Sequence, residues 1–121
     1  MSEEQDAAAV LARLYATIVS RKGGDGEKSY TARLLAGGPK AICRKIGEEA
    51  IEVSVEGLKG DKPAIMRESA DLIYHLMVLW ADAGVRPDDV WAELARREGI
   101  SGHQEKAARG TAAAPGGEGE D

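Results

Sequence analysis

The chain has no phenylalanine and only one cysteine, Cys43. A single cysteine excludes an internal disulfide and any cysteine-built zinc cage within one chain. It suits a reducing cytosol, and with no Cys–His arrangement nearby the thiol is expected to be buried or inert. Positive charge is scarce as well. Lys and Arg number 16 against 21 Asp and Glu, giving a formal net charge of −5. That balance speaks against nucleic acid as a main partner, because a phosphate backbone requires a basic field. Glu118, Glu120 and Asp121 carry three of those charges in a stretch, 110–121, without Lys or Arg. No apolar run approaches the roughly 20 residues of a membrane span. Glu3, Glu4 and Asp6 stand where a signal peptide would be basic, so no secretory leader is expected. Strand signals are missing too: there is no sustained alternation, and Asp25-Gly26 lies in a glycine-rich loop rather than a hairpin. The expectation is a cytoplasmic, all-α chain with no membrane partner.

Glycine and proline divide the sequence into helices. The first is expected over Glu4–Arg21, with Ala7, Leu11, Leu14, Tyr15 and Ile18 on one face. Gly23, Gly24 and Gly26 form a loop, after which Ser29 can cap a short helical turn over Thr31–Leu35. Gly37-Gly38 breaks the chain, and Pro39 suits the first turn of a helix running to Leu58 and ending at Gly60. Asp61 caps the next helix, which carries Pro63 in its first turn and continues to Ala83 before Gly84. A last helix covers Pro87–Glu98, with Asp88 and Asp89 at its positive end. The expectation is four to five helices in one domain over residues 1–109, followed by a disordered acidic tail over 110–121.

The chemistry lies in carboxylates on the two central helices. With about 100° of turn per residue and Ile42 at zero, Ile46 falls near 40°, Val53 near 20° and Glu49 near 340°. Glu49 therefore sits inside the apolar stripe, and Glu52 follows about 60° round. On the next helix, Ile65, Leu72, Leu76, Leu79 and Ala83 form the expected stripe. Glu68 sits at its edge, Asp71 one turn further on, and His75 four residues after that. The short Lys59–Lys62 connection folds the two helices into an antiparallel hairpin. Glu52 and Glu68 then stand at matching heights either side of the turn. One such acidic pair is more often a solvated face, here with Lys45 as a partner for Glu49. Two pairs matched across a hairpin are different. Buried carboxylates without a counter-charge would protonate. A hard divalent cation solves this, and oxygen-only ligands favour Mg²⁺ or Mn²⁺ over zinc. The expectation is a metal-dependent, phosphate-handling site between helices.

Glu48-Glu49-x-x-Glu52 followed by Glu68-x-x-Asp71 resembles the metal signature of the MazG-like all-α nucleoside triphosphate pyrophosphohydrolases. The segments Ser29-Tyr30-Thr31-Ala32-Arg33-Leu34-Leu35, Gly38-Pro39, Lys45-Ile46-Gly47-Glu48-Glu49-Ala50-Ile51-Glu52 and Ala70-Asp71-Leu72-Ile73-Tyr74-His75-Leu76 are similar to the phosphoribosyl-ATP pyrophosphatase family. Ser101-Gly102-x-x-Glu105-Lys106-x-x-Arg109 matches that family's ending.

The resemblance implies Mg²⁺-dependent hydrolysis of phosphoribosyl-ATP to phosphoribosyl-AMP and pyrophosphate, the second step of histidine biosynthesis. It implies Glu49, Glu52, Glu68 and Asp71 as metal ligands. Glu48 would be a further ligand or the group orienting the attacking water. Lys40, Arg44, Lys45, Lys106 and Arg109 are candidates for phosphate contacts, and Ser29, Tyr30 and Thr31 for a nucleotide or ribose pocket. His75 would touch a phosphate or a water, with a hydrogen-bonded structural histidine as the alternative. A homodimer is implied too. Ile51, Val55 and Leu58 form a second apolar stripe that one hairpin cannot cover, which independently supports it. Tyr74, Trp80 and Trp91 are expected to pack. The competing readings are a housecleaning nucleoside triphosphate pyrophosphohydrolase of the same fold and a non-catalytic helical dimerisation module.

Overall fold

The computed structural model describes residues 5–100 together with 106, 107 and 109. Its elements are α1 (Ala7–Ser20), α2 (Tyr30–Lys59), α3 (Lys62–Ala83) and α4 (Pro87–Arg96), with no strand among the described residues. The all-α expectation is met. None of these helices is long and apolar enough to cross a membrane.

Side-chain caps set the helix starts. Asp6 accepts from the Ala9 amide at 3.2 Å, so α1 begins at Ala7 rather than Glu4, which lies outside the described residues. Ser29 accepts from the Ala32 amide and Asp61 from the Ala64 amide, each satisfying an amide that has no partner within its helix. The turn expected over Thr31–Leu35 is longer, a full arm of α2. At Gly38 the backbone leaves the helical region (φ 75°, ψ −169°) and Pro39 restarts it. Proline offers no amide to continue the ladder and crowds the residue before it, and a positive φ suits glycine. At the other end Gly60 (φ 74°) closes α2 and lets the chain reverse into α3. The last helix stops at Arg96, short of the expected Glu98.

The chain divides into two units, Met1–Pro87 and Asp88–Asp121. In the first, α2 and α3 form the expected antiparallel hairpin, and α1 packs on α3. Ile18, Ile42, Met77 and Val78 are fully buried, each contributing about 1.5–3 kcal/mol by leaving water. Leu34, Leu35 and Ala81 complete this core, with Tyr15 and Trp80 packed at its edge. Two polar contacts fasten α1 to the end of α3: the Tyr15 hydroxyl donates to the Val85 carbonyl at 2.8 Å, and Lys22 Nζ to the Ala81 carbonyl at 3.4 Å.

The expected stripe on α3 is displaced. Met77, Val78 and Ala81 are deepest, whereas Ile65, Leu72, Leu76 and Leu79 are half-buried and Ala83 is exposed. The cause is tertiary: α3 must face α1 and α2 at once, which rotates its deepest line between them. Cys43 is exposed, not buried. In the second unit, Trp91 is half-buried and Glu93 pairs with Arg96 at 2.7 Å and Arg97 at 2.9 Å.

Candidate metal centre

Glu49 comes from the second arm of α2, Glu68 and Asp71 from α3. Each offers a carboxylate oxygen, and these three oxygens lie within 4.8 Å of one another. Glu49 is 7% exposed, Glu68 is half-buried and Asp71 is exposed. The cluster thus has a buried floor and an open mouth. The helical angle explains the floor: Glu49 shares the face of the fully buried Ile42.

Glu49 Oε1 has Lys45 Nζ at 3.7 Å, the partner expected from the four-residue spacing. Its Oε2 is buried and unpartnered. Burial pushes the Glu49 carboxyl above its usual range. The adjoining Glu52 carboxylate adds to this, His75 opposes it, and the charge of Asp71 adds a smaller rise. Glu68 is raised too, first by desolvation and then by Glu52, Asp71 and Glu56, with Arg67 opposing. An anion crowded in this way favours either a proton or a cation. An unpartnered buried oxygen facing two further carboxylates, with no softer donor in the set, fits a hard divalent ion.

Glu52 is exposed but acts directly on both Glu49 and Glu68. Glu56 was missed by the sequence reading. It lies seven residues after Glu49, on the same helical face, and that spacing is the signal that would have found it. Glu48 is not one of the three clustered carboxylates, but it shares the Lys45 ammonium with Glu49. It is exposed, 3.2 Å from Lys45, and this contact chiefly raises the lysine's pKa.

His75 is 5% exposed, and both ring nitrogens are engaged. Nδ1 lies 2.7 Å from the Asp71 carbonyl, and Nε2 lies 2.9 Å from the Tyr30 hydroxyl. A carbonyl can only accept, so Nδ1 carries a hydrogen; in the neutral ring Nε2 then accepts from Tyr30. These bonds match the structural alternative and leave neither ring nitrogen free for a phosphate. The same bonds join the start of α2 to the backbone of a cluster residue. Tyr74 packs at the edge of the core, beside His75. The two rings meet edge-on at 5.4 Å, and the Tyr74 hydroxyl shares a hydrogen bond with Thr31.

The remaining candidates are dispersed. Ser29 is a helix cap and Thr31 is buried. Both line a cavity of about 510 Å³ between the end of α1, the glycine loop and the start of α2, with Tyr74 on its wall. Lys40 and Arg44 line a separate recess with Gly37 and Ala41. Lys106, exposed, and Arg109, half-buried, belong to the C-terminal unit. Ser101, Gly102 and Glu105 lie outside the described residues, as does the stretch 110–121.

The sequence model of the phosphoribosyl-ATP pyrophosphohydrolase family matches residues 11–98, which run from within α1 through α4 and include every carboxylate of the cluster. The chain belongs to this family. Among curated relatives, the phosphoribosyl-ATP pyrophosphatase of Azospirillum brasilense is 59% identical over 109 residues, 90% of this chain and 98% of that protein. Those of Paramagnetospirillum magneticum and Gluconobacter oxydans are 56% and 55% identical over 100 residues, 83% of this chain in each case and 92% and 75% of the relatives. Membership makes this chain an enzyme of the hydrolase class.

Proposed function

We propose that the chain hydrolyses phosphoribosyl-ATP between its α- and β-phosphates in the cytoplasm, releasing phosphoribosyl-AMP and pyrophosphate as the second step of histidine biosynthesis. The observation that carries this reading is the buried, unpartnered Oε2 of Glu49 beside Glu68 and Asp71, in a chain whose relatives bear that enzyme's name. Glu49, Glu68 and Asp71, with Glu52 at the rim, would hold Mg²⁺, or Mn²⁺ in its place, and an ion held there would supply charge neutralisation of the triphosphate. Water adds to phosphorus, the bridging P–O bond breaks, and the leaving group departs as pyrophosphate. Positioning and charge stabilisation supply most of the rate.

The protein's own groups divide the remaining work. The exposed Glu48 orients the attacking water and takes its proton. Lys45, tied to Glu48 and Glu49, holds the acidic helix face in register. Lys40 and Arg44 contact the phosphates from the recess beside the kink. The functional domain is residues 1–109. The working enzyme is a homodimer: Ile51, Val55 and Leu58 on α2 and Met66 and Ile73 on α3 are exposed apolar side chains, Leu58 at 91%, and a second copy would cover them.

The test is pyrophosphate release from phosphoribosyl-ATP and from a panel of ordinary nucleoside triphosphates, with and without Mg²⁺. Preferred, Mg²⁺-dependent turnover of phosphoribosyl-ATP is expected. Equal or faster turnover of plain triphosphates would make the chain a housecleaning enzyme instead. No turnover and no Mg²⁺ binding would leave a dimerisation module.

A further inference from the structure

Phosphoribosyl-ATP carries negative charge at both ends: a triphosphate at one and, on the ribose attached to the base, a monophosphate at the other. The carboxylate cluster accounts for only the first. We infer that the cavity between the end of α1 and the glycine loop binds the phosphoribosyl end, with Arg21 and Lys28 receiving its monophosphate. This rests on the proposed activity and extends it to a specificity site.

Three observations support it. The cavity, about 510 Å³, is large enough for a phosphorylated pentose. Its wall meets the metal centre's framework, because Tyr74 follows Asp71 by three residues, about 4.5 Å along α3. Arg21 and Lys28 both line it, and neither has an ion-pair partner among the described residues. The two cations outnumber the one carboxylate on this concave surface, Asp25, and a net positive surface calls for an anion.

The other polar groups sharpen the assignment. Ser29 Oγ is occupied by the Ala32 amide, and Thr31 by Tyr74. Thr17 and Ser20 donate their hydroxyls to carbonyls within α1. These four can still accept, so they suit the sugar hydroxyls. Asp25 also lines the cavity, but its carboxylate accepts the Glu27 amide, and its carbonyl accepts the amides of Lys28 and Ser29. Asp25 therefore shapes the loop that presents Lys28. The loop is pinned from outside by Arg33, which donates to the Gly26 carbonyl at 2.8 Å. That leaves the two side-chain cations to grip the phosphate.

The experiment uses the full chain. Arg21→Ala and Lys28→Ala should each raise KM for phosphoribosyl-ATP about tenfold, the scale of one lost charge-assisted contact, with kcat held within about twofold. The ratio of kcat/KM for phosphoribosyl-ATP to that for ATP should fall by a similar factor. Arg21→Lys and Lys28→Arg should restore most of it. Ribose 5-phosphate should bind the wild-type chain by calorimetry and bind either alanine variant about tenfold more weakly. Unchanged KM in both alanine variants, or equal losses on the two substrates, would overturn the assignment. The ribose 5-phosphate measurement needs no turnover. Loss of its binding in the variants would therefore support the cavity even if the wild-type chain proved inactive on phosphoribosyl-ATP, a result that would sink the activity reading instead.

Discussion

Replacing Glu49 by glutamine removes a charge without changing shape, and it should stabilise the metal-free protein while abolishing its response to metal. In the wild type, Oε2 is buried with no partner and Oε1 is 3.7 Å from Lys45. A buried unsatisfied polar group costs about 1–3 kcal/mol. The glutamine amide can donate to Glu52, which adjoins it, and so relieve that cost. The Lys45 contact that is lost is worth at most about 1 kcal/mol, and Lys45 keeps Glu48 at 3.2 Å. The net gain is about 1 kcal/mol, or about 4 °C in Tm for a domain of this size. Mg²⁺ at a hundred times its Kd should raise the wild-type Tm by the equivalent of about 2.7 kcal/mol, and the variant should lose most of that rise.

The pH dependence has a definite sign. The folded chain holds the Glu49 proton more tightly than the unfolded chain does. The Glu49 contribution to metal-free stability is therefore fully present below the ordinary carboxylate value and is lost as pH rises through the elevated one. The advantage of Glu49→Gln should accordingly vanish on acidification. Thermal unfolding by circular dichroism, in EDTA and in Mg²⁺ at neutral and acid pH, reads all three effects. A variant that is less stable than wild type in EDTA, yet stabilised by Mg²⁺ to the same extent, would refute the reasoning.

Asp71→Asn should abolish pyrophosphate release with the helical circular dichroism unchanged, because the side chain is an exposed cluster member with no core role; retained turnover would remove it from the ligand set. Tyr30→Phe strips the hydrogen-bond donor from buried His75 Nε2 and should lower Tm by about 4 °C, for a loss of about 1 kcal/mol. In α4, Arg96 and then Arg97 hold Glu93 down to about 2. Their support is fully present above the ordinary value of 4.5 and is lost as pH falls through about 2, so amide exchange across α4 should accelerate only in strong acid.

The helix boundaries were largely legible because they depend on local chemistry. Ser29 and Asp61 cap, Pro39 restarts, and Gly60 and Gly84 stop, and each acts through atoms within a few residues. Glu49 was legible for the same reason, since helical geometry alone places it on the buried face of Ile42. What failed was long-range. Of the two alternatives for Cys43, buried or inert, burial is ruled out because it faces solvent, and the deepest line of α3 moved to Met77, Val78 and Ala81. No periodicity reveals that a helix must serve two neighbours.

The site divides along the same line. The spacing of Glu49, Glu52, Glu68 and Asp71 and a short turn between two helices determine that carboxylates converge, because both follow from the 3.6-residue repeat. Only tertiary packing decided that one oxygen of Glu49 would be left buried without a partner. The same packing decided that His75 would spend both nitrogens joining Tyr30 to the Asp71 backbone, and that Arg21 and Lys28 would line one cavity. Those outcomes depend on where α1 and the two arms of α2 lie against α3, and the kink at Gly38 together with core packing places them there. Local geometry therefore selected which side chains could act, and packing set their charge state and their neighbours.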